Sequence, residues 1–165
     1  MAKQITFTFL ILGLCAFNAF SQSQVVPATD TNLYVKALSA CYTEEAKTAQ
    51  NIHAENRFEF YNQVIEQDNL LTKNLPMQFG EFKVEYLNRK SIADRYKKTK
   101  QPFGVRIVNP MQNDGTTIRV SFTDFIVSYK KRIYKYGLEG GCIVEFKFDC
   151  PLNQFVIAKV DLWGV

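Results

Sequence analysis

The hydrophobic positions of this chain change period near residue 57. Before it, Leu33, Ala37, Leu38 and Cys41 recur at helical intervals with Lys36, Glu44 and Lys47 elsewhere, and Thr29, Asp30 and Thr31 stand ahead of them as candidate caps. The stretch TDTNLYVKALSACYTEEAKTA therefore predicts a helix with one apolar stripe, which must pack on something. From about Arg57 the period falls to two. RFEFYNQVIE and FKVEYLN predict strands, with Pro76 and Gly80 as punctuation between them. RKSIADRYKKTK then predicts a short basic helix with Ile92 and Tyr96 on its inner side, ending before QPFG.

The second half reads as nearly all strand. FGVRIV is one, NPMQNDG a loop, and TTIRVSFTDFIVSYKKRIYKYGL a long extended segment whose inner face changes parity midway. Ile118, Val120 and Phe122 alternate on even positions, then Phe125, Val127 and Tyr129 on odd ones, and one extra residue near Asp124 would account for the change as a β-bulge. The EGG at 139–141 is expected to turn the chain. CIVEFKFDC follows with Cys142, Val144, Phe146 and Phe148 on one face, PLNQ turns again, and FVIAKVDLW closes with Val156, Ala158, Val160 and Leu162 inward.

This order gives an α+β class: an N-terminal helix packed on a curved antiparallel sheet, with a short second helix. It resembles the cystatin-like or NTF2-like α+β roll, in which a helix lies in a curled sheet. That resemblance implies an interior able to enclose an apolar pocket. It does not extend to protease inhibition, because the inhibitory Gln-x-Val-x-Gly pattern is absent. The nearest stretch, QPFGV at 101–105, has Phe in the middle and Gly one place early.

Composition bears on compartment. Residues 1–21 have a basic start at Lys3, an apolar run from Ile5 to Phe17 and small residues at Ala19 and Ser21, the three parts of a secretory signal cut after Ser21. The run falls short of the roughly 18 apolar residues a membrane anchor requires. Cys15 follows Leu14 rather than a small residue, which argues against lipidation. Residues 22–165 are then expected to form a single α+β domain, exported to the periplasm or beyond, with no stable membrane anchor after cleavage. FSQ at the exit and the closing VDLWGV also resemble small exported proteins of Bacteroidota, which implies the same compartment. Lys3 is the one charged residue removed, so the formal charge falls from +4 to +3, too mild a balance to indicate nucleic acid.

Cys41, Cys142 and Cys150 remain, and free cysteine is commonly a core residue, so three buried thiols are the first expectation. Cys142 and Cys150, eight residues apart on one strand, would be roughly 26 Å apart, so a bridge would join Cys41 to Cys142 or to Cys150. Candidate chemistry is sparse. His53 is the single histidine and lies in a polar connection, no metal-ligand set or cofactor motif is evident, and no nucleophile elbow or phosphate loop occurs. Asp124 is the one weak catalytic candidate, since a bulge could turn its carboxylate into an apolar interior and raise its pKa. In YKKRIYKY, Lys130, Lys131, Arg132 and Lys135 interleave with tyrosines and could hold an anionic polymer or a protein partner. Two functions follow: an exported, non-catalytic binding or structural module, or a pocket protein of isomerase or dehydratase type using the interior of a roll. Seven phenylalanines competing for one interior, Phe58, Phe60, Phe82, Phe122, Phe125, Phe146 and Phe148, favour a filled core and the first reading.

Overall fold

A computed structural model describes residues 32–48, 60–131 and 133–164. Residues 1–31, which include the expected signal, Cys15 and Thr29–Thr31, lie outside the described residues, as do His53, Phe58 and Arg132. The first helix, α1 (Leu33–Thr48), is capped by Asn32, whose Oδ1 accepts from the N–H groups of Tyr34 at 3.0 Å and Val35 at 3.4 Å. Its buried stripe is Tyr34, Ala37, Leu38, Cys41 and Tyr42. Phe60 and Tyr61 are helical, so in the described part of the strand expected over 57–66 the extended residues are those of β1 (Asn62–Glu66).

Two short strands follow, β2 (Gln78–Phe79) and β3 (Phe82–Leu87), and then α2 (Arg89–Thr99). Asn88 caps α2 by accepting from Ser91 N–H at 2.9 Å, and Lys100 ends it in the left-handed conformation. The remaining strands are β4 (Phe103–Val108), β5 (Gln112–Asn113), β6 (Thr117–Lys130), β7 (Ile133–Asp149) and β8 (Gln154–Trp163). All join one sheet in the order β2-β3-β1-β4-β6-β7-β8, with β5 beside β6. The fold is α+β, with both expected helices and an antiparallel β6–β7–β8 meander, but the sheet is mixed. β1 runs parallel to β3 and to β4, because the β3–α2–β4 crossover passes over β1 to reach its other side.

That crossover places the two helices on opposite faces. One apolar cluster joins α1 to Ile65, Phe82, Val84, Val108, Val120, Phe122, Cys142, Val144 and Phe146. A second joins Ile92 of α2 to Val64, Val105 and Val127, with Phe125, Tyr134 and Tyr136 against it. Neighbouring residues Val64 and Ile65 thus serve different cores, as the alternation of a strand demands.

The change of parity in β6 has the same cause. Its pairing with β4 runs without interruption from Phe103–Val127 to Val108–Phe122, so β6 carries no extra residue. Its first half buries even positions under α1 and its second half buries odd positions under α2. The irregularity lies on β7, where Gly140 pairs with Asp124 but Leu138 pairs with Phe125, leaving Glu139 as the extra residue. EGG therefore sits inside a 17-residue strand and is not a turn. The chain reverses instead next to Lys131, which adopts φ 51°. Gly140 and Gly141 are required by close approach: a Cβ on Gly141 would lie 2.2 Å from the Phe122 carbonyl oxygen, and one on Gly140 would lie 2.4 Å from that of Trp163.

A second irregularity, between Glu145 and Phe146, leaves Ala158 unpaired on β8. Val160 and Leu162 keep their inward positions, but Ala158 is exposed, and Phe155 packs on the core in place of Val156. Phe148, expected inside, is 48% exposed.

Candidate functional site

Cys41 of α1 and Cys142 of β7 form a disulfide with a Cα–Cα distance of 6.1 Å. Cys150 is a free, exposed thiol in the β7–β8 turn, so three buried thiols do not occur. The bridge forms because α1 lies on the face to which β7 turns its even residues. One residue on from Cys41, Tyr42 stacks on Phe82 with ring centroids 4.6 Å apart.

Beside this bridge lies a buried polar node. Arg106, at the centre of β4, is 4% exposed and faces α1. Its Nε donates to Asp124 Oδ1 at 2.7 Å, and its Nη2 donates to Asp124 Oδ2 at 2.8 Å and to Glu45 Oε1 at 2.6 Å. Each strand supplies its residue by register, since Arg106 and Asp124 are directly opposed on β4 and β6. The guanidinium also lies over the Tyr42 ring, 5.0 Å from its centroid. Among the described residues, Arg106 Nη1 and the Tyr42 hydroxyl are buried without a hydrogen-bond partner.

Burial opposes the charge of Arg106, but the Asp124 hydrogen bond, with Tyr42, Glu45 and Asp124 close by, outweighs it and holds the group well above its ordinary range. Glu45 is pushed up, first by burial, against the pull of Arg106. Tyr42 is raised by burial as well. The sequence-predicted Asp124 therefore meets a guanidinium that takes both its oxygens. It lines neither the cleft of about 240 Å³ beside Tyr42 and Phe79 nor the one of about 500 Å³ beside Gln67, Lys73 and Tyr86.

Sequence reasoning did not single out Arg106, Glu45 or Tyr42. A signal existed for two of them: Arg106 interrupts the apolar run of FGVRIV, and Glu45 continues the helical stripe of Leu38, Cys41 and Tyr42. A charge in either pattern must find a buried partner.

The basic segments lie on the other face. α2 with its cap carries Arg89, Lys90, Arg95, Lys97, Lys98 and Lys100 against Asp94 alone. Arg89 pairs with Glu66 at 3.0 Å, Arg95 with Glu85 at 2.8 Å and Lys97 with Asp94 at 3.0 Å. Lys90, Lys98 and Lys100 are exposed and have no ion-pair partner among the described residues. The β6–β7 hairpin packs its tyrosines here. The Tyr134 hydroxyl donates to the Arg89 carbonyl, Tyr136 donates to Glu66 at 3.1 Å, and Lys97 lies 5.5 Å from the Tyr129 centroid. Burial, with Glu66 beside it, pushes the Tyr136 phenol up to about 12.

Of the hairpin cations, Lys131 is exposed at the turn beside this face. Lys130 ends β6. Lys135 pairs with Ser128 and is set on the opposite side from Tyr134 and Tyr136, so the structure does not join it to the α2 lysines. Of the tyrosines of YKKRIYKY, Tyr129 thus has a cation of α2 over its ring. Compared with protein-family models, curated proteins and solved structures, the chain matches none.

Proposed function

We propose that this chain is an exported, non-catalytic binding module for an anionic partner, either an acidic polymer or an acidic protein surface. The observation that carries the reading is the set of exposed lysines along α2 and its cap. Among the described residues Lys90, Lys98 and Lys100 have no carboxylate partner, while Arg89 and Arg95 are paired with strand carboxylates and fix the helix to the sheet, and Lys97 is paired with Asp94 within the helix. Unpaired lysines on one rigid element concentrate positive potential without the entropy of a loop. The same reading is supported by the ion pair that engages Asp124, the one carboxylate considered for proton transfer, with Arg106. Export is supported by the Cys41–Cys142 bridge, a bond suited to an oxidising compartment, and by the three-part pattern of residues 1–21.

The test measures binding of the secreted chain to immobilised dextran sulfate and to poly-glutamate across ionic strength, with intact mass to establish whether it begins at Gln22. Lys90→Gln, Lys98→Gln and Lys100→Asn together are expected to weaken binding about tenfold at low salt and to flatten its salt dependence, with circular dichroism unchanged. Binding that ignores the triple substitution, or its absence for both polymers, overturns the site. A turnover on small carbonyl or hydroxy-acid substrates that vanishes in Asp124→Asn would replace the reading with the pocket enzyme.

A further inference from the structure

Among the described residues the sheet ends on one side at β2, two residues long, and on the other at β8, ten residues long. A strand of that length at an edge offers unpaired backbone groups to another strand. The side chains beside this edge form a pattern that stops short. On the face away from α1, Arg119, Glu145 and Lys159 are direct neighbours across β6, β7 and β8, so the charges alternate plus, minus, plus. Arg119 Nε donates to Glu145 Oε1 at 2.8 Å. The next strand outward would complete the alternation with an acid opposite Lys159. Two residues on, Asp161 presents the converse requirement, a base opposite itself. Lys159 and Asp161 form an ion pair with each other along one strand, and their side chains are 59% and 44% exposed.

We infer that β8 pairs antiparallel with β8 of a second copy of this chain about a two-fold axis at Val160. In that register Lys159 of each copy opposes Asp161 of the other, and the two contacts are equivalent, as a self-complementary interface requires. On the α1 face Val160 meets its own copy. The irregularity at Ala158 leaves residues 159–161 of each copy as the regularly paired stretch in this register. A foreign strand would need the same acid and base two residues apart, and the chain itself supplies them.

Sedimentation velocity and light scattering test this over the micromolar to submillimolar range, in a Cys150→Ser background so that the exposed thiol cannot supply a covalent dimer. A reversible dimer is expected. Lys159→Glu and Asp161→Lys should each raise its dissociation constant about tenfold or more, since each creates two like-charge oppositions. An equimolar mixture of these two variants should recover the original affinity, because the mixed dimer has both contacts complementary. That recovery also reports that both variants are folded. A monomer throughout, a dimer indifferent to either substitution, or a mixture no tighter than its components each overturns the pairing.

Discussion

Replacing Arg106 by Met separates a structural node from a chemical one. The substitution keeps an unbranched side chain over the Tyr42 ring but removes the three charge-assisted hydrogen bonds that Arg106 donates, two to Asp124 and one to Glu45. Breaking a buried pair by removing one partner costs about 3 to 5 kcal/mol. Asp124 keeps 30% and Glu45 14% of its side-chain exposure, so water takes over part of the lost solvation and the lower end, about 3 kcal/mol, is expected. Asp124→Asn, which retains one acceptor and the Glu45 contact, should cost less, about 1.5 to 3 kcal/mol. Replacing all three members together, Arg106→Met with Asp124→Leu and Glu45→Leu, should return stability to within about 1 kcal/mol of the original, because no charge is then left behind. Urea unfolding at neutral pH, followed by Trp163 fluorescence with the denaturant slope held as a control, measures all three. A loss below about 1 kcal/mol for Arg106→Met would mean that the carboxylates are already hydrated and that the node does not hold α1 to the sheet.

The disulfide closes a sequence separation of 101 residues, for which the chain-entropy argument gives about 4 to 5 kcal/mol. Cys41→Ala with Cys142→Ala is therefore expected to lower the urea midpoint strongly and to raise the slope as the unfolded chain expands; an unchanged midpoint would refute this. Glu45 provides a pH signature. Its folded pKa lies above its unfolded one, so the folded chain binds this proton first as pH falls, and the contribution is full at and below the ordinary value and lost as pH rises through the raised one. Relative to Glu45→Gln, the native protein should gain stability on acidification through that window, while Asp68 and Asp114, held low by backbone hydrogen bonds, contribute equally to both. A difference independent of pH would refute the assignment.

The elements were largely legible because each has a local cause. The stripe of α1, the basic α2 and the alternation of 142–146 come from periodicity and needed no partner. What could not be read was which face each period served. A parity change in β6 and unbroken parity in β7 have one origin, the exchange of faces between α1 and α2. Glu139 cancels the change in β7 and nothing cancels it in β6. One strand read alone offers only the bulge as an explanation. The hairpin turn escaped notice for a related reason: Lys131 takes a positive φ without glycine, while the true glycines 140 and 141 make room for neighbouring backbone. Asp124 was singled out without its partner, because Arg106 is adjacent to it only through sheet register.

Glu139 acts as a phase shifter, with a consequence for descent. Deleting it would send Tyr134 and Tyr136 from the α2 side to the α1 side while Cys142 and Phe146 stayed in place, so the loss could be tolerated only with reversed alternation from Ile133 to Leu138. Insertions and substitutions here are coupled by geometry. Distant kin of this chain would then carry a readable mark even where residue identities have drifted: two long consecutive strands, one breaking its alternation near the middle and the other keeping it across a glycine pair.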